Sequence, residues 1–137
     1  MKCEFPSHSQ NEAVARGIVS AFIIGLDPTV SELADLKCAV SEAVTNSTVH
    51  AYRDCIGKIT LTLTSYTDRT VKAEIKDKGC GIPDIPRAME PLFTTDRDSE
   101  RSGMGFTVME SFCDTVKVKS TPGRGTKVAL LKKLTAL

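Results

Sequence analysis

Apolar positions recur every three to four residues over the first third of the chain and every second residue over much of the remainder. Behind Ser9-x-x-Glu12, which reads as a capping box, Ala13, Val14, Gly17, Ile18, Ala21, Phe22 and Ile24 keep helical spacing. Asp27-Pro28 breaks the run, because a proline disfavours helical geometry in the residue before it. Thr29-x-x-Glu32 is a second capping box, and Leu33, Leu36, Val40, Ala43, Val44 and Ala51 carry one apolar stripe to about Tyr52. The pattern thus predicts two helices at the start of the chain.

Period two then takes over. Ile59, Leu61 and Leu63 alternate with Thr60, Thr62 and Thr64; past a turn at Thr67-Asp68-Arg69, Val71, Ala73 and Ile75 alternate with Lys72, Glu74 and Lys76. This predicts an antiparallel hairpin with one wet face. A short helix with Phe106, Val108, Met109 and Phe112 is expected between positions 103 and 114. Two closing strands follow, the first with Val116 and Val118, the second with Thr126, Val128 and Leu130, joined by a turn at Thr121-Pro122-Gly123. The order predicts an α+β fold, a two-layer sandwich with helices on one face of a mostly antiparallel mixed sheet. Residues 82–102 fit neither period. With Pro83, Pro86 and Pro91 among many charges, they read as a long loop covering a ligand.

Composition narrows the function classes. The 137 residues are 41% apolar and 26% charged, and 18 basic against 17 acidic side chains leave +1, so no bulk field draws nucleic acid or an anionic membrane. The longest uncharged stretch, residues 17–26, is about half a membrane span. Five scattered cysteines form no Cys-x-x-Cys, and only His8 and His50 could join them, so a structural zinc site is not expected. Reduced, mostly buried thiols in a single cytoplasmic domain are the expectation.

The candidate chemistry lies on the second helix and in glycine-rich turns. Glu42, Asn46 and His50 stand at i, i+4 and i+8, beside the apolar stripe, where they form either a solvated flank or the edge of a cleft. A glutamate there can take a proton, an asparagine oxygen can bind a hard cation such as Mg²⁺, and a histidine can donate hydrogen bonds. Counting in twos from Val71 puts Asp77 on the apolar face. It either has a dedicated donor or lies in a wet turn past a strand that ends at Lys76. Thr126 is likewise in phase with Val128 and Leu130. Asp77-Lys78-Gly79-Cys80-Gly81 lets the backbone turn sharply against a flat ligand, and Gly103-Met104-Gly105-Phe106 leads into a helix whose amides can hold anionic oxygens. Arg101 could meet a terminal phosphate with its fork of donors.

In that order, Glu42-x-x-x-Asn46-x-x-x-His50, Asp77-x-Gly79-x-Gly81, Gly103-x-Gly105 and Gly125-Thr126 resemble the N, G1, G2 and G3 boxes of the GHKL ATPase and kinase superfamily. Ser41-Glu42-Ala43-Val44-Thr45-Asn46, Pro91-Leu92-Phe93-Thr94-Thr95 and Glu100-Arg101-Ser102-Gly103-Met104-Gly105-Phe106-Thr107 are similar to its branch of sporulation anti-sigma serine kinases. The resemblance implies a Bergerat-type ATP-binding fold and one kinase domain over residues 1–137, with an ATP lid at about 82–103. It implies that Asp77 accepts from the adenine amine with help from Thr126, that Asn46 ligates Mg²⁺, and that Glu42 is the general base. Arg101 and the 103–106 amides would hold the γ-phosphate of ATP. His50, Gly79, Gly81, Ile82, Thr94, Thr95, Ser102 and Met104 would complete the nucleotide contacts, Arg101 serving catalysis as well. Ser47, Thr48 and Lys78 fall at positions without a ligand role. The implied partners are a sporulation sigma factor, held with Arg16 on the partner surface, an anti-anti-sigma factor phosphorylated on serine, and a second copy of the chain. A stress-response switch kinase with another sigma partner, and a nucleotide-gated binding module without transfer, stay open as alternatives.

Overall fold

The computed structural model describes residues 1–51, 56–79, 105–121 and 125–135. Strand β1 (Lys2–Pro6) comes first, then helix α1 (Asn11–Ile23) with a 3-10 turn over Ile24–Leu26, and helix α2 (Val30–Asn46) continuing into a π-helical turn over Ser47–Ala51. Strands β2 (Lys58–Ser65) and β3 (Thr70–Asp77), helix α3 (Gly105–Phe112), and strands β4 (Thr115–Thr121) and β5 (Gly125–Lys133) follow. The five described strands lie in the order β1-β2-β3-β5-β4, and every pairing among them is antiparallel.

The helices cover one sheet face, in agreement with the α+β expectation. Leu36, Ala39, Val40, Ala43 and Val44 of α2 are fully or almost fully buried, together with Val19 and Ile23 of α1 and Met109 of α3. Beneath them lie Ile59, Leu61 and Leu63 of β2, Val71, Ala73 and Ile75 of β3, and Val128 and Leu130 of β5. The buried positions of both hairpin strands are those that the period-two pattern predicts. Helix α2 is the middle helix, packed against both α1 and α3. Lys132 holds α3 in place: its Nζ donates to the Phe112 carbonyl at 2.8 Å and lies 3.4 Å from Asp35 on α2, a cation at a helix C-terminus. No helix among the described residues is long and apolar enough to cross a membrane.

Four expectations need correction. The chain opens with a strand, not a helix. β1 is a five-residue edge strand that buries only Phe5 well, and its alternation is too short to stand out in the sequence. Ser9 does not cap α1: Gln10 precedes the helix without a side-chain cap, and the Glu12 carboxylate instead accepts from the Ser41 hydroxyl on α2 and faces Arg16 at 3.8 Å. The buried stripe of α1 is Ala15, Val19 and Ile23, flanked by Ile18 and Phe22, leaving Val14 and Ile24 exposed. Of the described cysteines only Cys113 is buried, its thiol pushed up to about 11 by desolvation; Cys3 is partly exposed and Cys38 exposed.

The second capping box forms as expected, and it reaches further than its own helix. Thr29 N–H donates to Glu32 Oε1 at 2.8 Å, and Glu32 N–H donates to Thr29 Oγ1 at 3.1 Å. Glu32 Oε2 accepts from Thr135 N–H at 2.7 Å, while Arg69 Nε donates to the Thr135 carbonyl at 2.7 Å. One buried carboxylate thus ties the start of α2 to the chain after β5, and through it to the β2–β3 turn. The Thr29 N–H foremost, then Thr135, hold the Glu32 carboxyl below its ordinary value of 4.5 against the opposing effect of desolvation. Its stabilising effect is therefore complete above that ordinary value and is lost as the pH falls through the lowered folded value. Glu32→Ala should cost about 1–2 kcal/mol at neutral pH, read from urea unfolding midpoints, with the gap to wild type narrowing in acid. A gap that is absent at neutral pH, or constant into acid, would contradict this tie.

Candidate functional site

The site forms where the end of α2 meets the paired ends of β3 and β5. Asp77 is the last residue of β3 and is only 5% exposed, so the strand does not stop at Lys76 and the carboxylate is not in a wet turn. It has dedicated donors. Oδ2 accepts from Ser47 Oγ at 2.9 Å, and Oδ1 accepts from Gly79 N–H at 3.0 Å and Thr126 N–H at 3.2 Å. The bond to Gly79 is an Asx-type turn that bends the chain just past the strand.

Each donor reaches Asp77 for a local reason. Thr126 stands opposite it in the β3–β5 register, and its Oγ1 lies 2.8 Å from Ser120 Oγ on β4. Gly125 precedes it with φ +120°; a Cβ there would lie 2.2 Å from the Asp77 carbonyl oxygen, so only glycine lets β5 begin this close to β3. Ser47 is delivered by the π-helical turn that follows Asn46.

Burial pushes the Asp77 carboxyl above its ordinary value, and the bonds from Gly79, Ser47 and Thr126 only partly oppose this. Among the described residues Ser47 alone donates to Oδ2, and a carboxylate oxygen can accept more than one bond. A buried carboxylate with room for one more donor suits recognition of an amine on a flat ligand.

Glu42 and Asn46 lie on the same helix one turn apart, both half-buried. His50 falls in the turn that follows them. The α-helix ends at Asn46, and the π-helical turn over Ser47–Ala51 changes the rotation per residue. Gly105 opens α3 and Phe106 follows in its first turn. Arg16 is exposed on α1. Gly81, Ile82, Thr94, Thr95, Arg101, Ser102, Gly103 and Met104 lie outside the described residues, as do Cys80 and the expected lid.

Two contributors are not apparent from motif spacing. Ser47, expected to have no ligand role, contacts Asp77 directly; the signal for it is a serine in phase with Val40, Ala43 and Val44 on the buried stripe. Ser120 supports Thr126, and only the β4–β5 register reveals it.

Comparison with known proteins places this geometry. Residues 5–132 match the family model described as a histidine kinase-like ATPase domain. A protein of Clostridium botulinum (strain Alaska E43 / Type E3) named anti-sigma F factor is 53% identical over 137 residues, covering 100% of this chain and 96% of its own length. One of the same name from Caldanaerobacter subterraneus subsp. tengcongensis is 52% identical over 132 residues, covering 96% and 92%. The chain belongs to the anti-sigma F factor family.

Solved structures agree on the fold of this family member. The RsbU and RsbW domains of Rv1364c from Mycobacterium tuberculosis superpose with a TM-score of 0.72 at 17% identity, over 100% of this chain and 33% of that one. Full-length ShkA, solved in complex with AMPPNP, gives 0.61 at 20% identity over 77% of this chain and 22% of that one. The GHKL-type α+β fold and the anti-sigma F relationship are thereby established, and with them a nucleotide-binding domain of the kinase and ATPase type.

Because the folded-state value of Asp77 is raised, its ionisation opposes folding. That contribution to stability falls as the pH rises from the ordinary 3.8 through the raised value. Asp77→Asn should therefore melt progressively higher relative to wild type, both without ligand, as the pH is raised from acid to neutral. A variant that melts below wild type by the same margin throughout would show that the carboxylate is not strained by burial.

Proposed function

We propose that this anti-sigma F family member is a Mg-ATP-dependent protein serine kinase that holds a sporulation sigma factor and phosphorylates a serine of its anti-anti-sigma antagonist. The observation that carries the reading is the buried Asp77, whose Oδ2 takes a single donor and Oδ1 two among the described residues. That is the environment in which a carboxylate can accept from the exocyclic amine of adenine. Thr126, fixed by Ser120, supports the same edge of the base through a water, and Gly79, Gly81, Ile82 and His50 complete the surroundings.

The chemistry needs alignment and charge neutralisation more than covalent help from the protein. The serine oxygen attacks the γ-phosphorus, a new O–P bond forms, and the bond to the leaving ADP oxygen breaks. Glu42 takes the serine proton. Arg101 and the backbone amides of residues 103–106 hold the transferred phosphoryl group, with Thr94, Thr95, Ser102 and Met104 in a lid over residues 82–103.

Asn46 would hold Mg²⁺, which neutralises phosphate oxygens. The donor type fits: a half-buried asparagine offers a neutral oxygen, and Mg²⁺ commonly takes one or two protein oxygens and completes its shell with phosphates and water.

Arg16 is assigned to the sigma surface. It is exposed on α1 and faces Glu12, which accepts from the hydroxyl of Ser41, the residue next to Glu42. The working unit is one kinase domain per chain, paired as a homodimer in the cytoplasm. The half-buried Glu42 favours a transferring enzyme over a nucleotide-gated module, and the anti-sigma F names of the relatives favour a sporulation partner over a stress-response one.

Glu42→Ala tests the assignment. It should bind ATP and the sigma factor as wild type does, while transfer of label from γ-labelled ATP to the antagonist falls by at least about a hundredfold. Transfer at the wild-type rate would remove Glu42 as the base.

A further inference from the structure

The sheet face turned away from the helices carries an arrangement that sheet energetics disfavours. The side chains of β3 alternate, so Ile75 and Asp77 point toward the helices and Lys76 points to the open face. The register sets Lys76 opposite Lys127 on β5, and Lys127 opposite Lys119 on β4. Three exposed lysines thus stand abreast on three adjacent strands, with Lys117 two residues along β4 on the same face. Like charges directly opposite one another destabilise a sheet.

Compensation from within the chain is partial. Glu74 Oε2 lies 2.6 Å from Lys127 Nζ, and its Oε1 lies 3.4 Å from Lys72. Among the described residues Lys76, Lys117 and Lys119 make no ion pair. Beside the ladder lies an open groove of about 340 Å³ whose lining includes Lys2, Glu4, Thr60, Thr62, Lys76 and Lys127. Short threonines keep it open, and lysines outnumber glutamates along it.

We propose that this open face is a docking surface for an acidic polypeptide segment of a partner protein. Its carboxylates would supply the charge that the lysine ladder lacks. In an extended peptide, alternate side chains are about 7 Å apart, the spacing of Lys117 and Lys119 along β4. Glu4 and Glu74 set the choice of class. They interrupt the positive field and would repel the unbroken phosphate row of a nucleic acid, whereas a peptide can place a basic or neutral residue over them. The surface is separate from the nucleotide site, which lies on the other side of the sheet around Asp77.

The test uses the full chain and a fluorescein-labelled peptide of alternating glutamate and serine, followed by anisotropy, beside an oligothymidylate of equal charge. The triple variant Lys76→Gln/Lys119→Gln/Lys127→Gln should lose about tenfold in peptide affinity. It should also melt no lower than wild type, since repulsion is relieved. The corresponding triple arginine variant should bind as wild type does, which separates charge from fold. Peptide affinity unchanged by the glutamine substitutions would overturn the proposal. So would tighter binding of the oligothymidylate, which would mark a nucleic-acid surface, or a change in sedimentation of the triple variant, which would mark a face that meets a second copy.

Discussion

A single buried carboxylate sets the terms for everything around it. Asp77 sits at 5% exposure on the apolar side of the sheet, where an ion without partners would cost several kcal/mol. The chain meets that demand from three directions at once, through Ser47, Gly79 and Thr126. Each donor constrains a different element. The helix must end in a wider turn to bring Ser47 inward, β5 must begin with a residue that has no Cβ, and the chain after β3 must fold back so that Gly79 N–H faces the side chain. Even so, burial leaves the carboxyl raised, so the site is held at some expense to the stability of the free protein, as binding sites often are.

The two sheet faces divide the work. Toward the helices, alternate residues of β2, β3 and β5 bury the core that fixes the position of α2, the helix on which Glu42 and Asn46 stand. Away from them, the same strands present lysines and threonines to solvent. Helix α1 is joined to α2 by the bond from the Ser41 hydroxyl to Glu12, one residue from Glu42, so the exposed Arg16 and the candidate base belong to one packed pair of helices. The Glu32 carboxylate closes the other end of α2 against the chain after β5.

Much of this is legible in the sequence because period two and helical spacing are local signals. The hairpin alternation locates Ile59, Leu61, Leu63, Val71, Ala73 and Ile75 correctly, and the same count puts Asp77 on the buried side of β3. Strand β1 is not legible, since five residues that bury one phenylalanine well gain their stability from pairing with β2. The Ser9 box does not form, since the helix starts one residue later, after Gln10, and the carboxylate of Glu12 is engaged by another helix. Motif spacing points to Asn46 while hiding the part that its neighbour Ser47 plays. What the spacing does carry is the order of the polar pieces, and the anti-sigma F relatives bear out the family that this order implies.

The central claim is that the buried Asp77 reads the base of a nucleotide. Titration calorimetry of the full chain with ATP and with GTP, under the same magnesium and salt conditions, tests it most directly. Adenine offers an amine hydrogen to the carboxylate where guanine offers a carbonyl oxygen, and a site built around a buried polar group rejects the mismatched partner strongly. ATP should bind at least about a hundredfold more tightly than GTP. Equal affinities would mean that Asp77 does not face the base and that its burial serves only the fold.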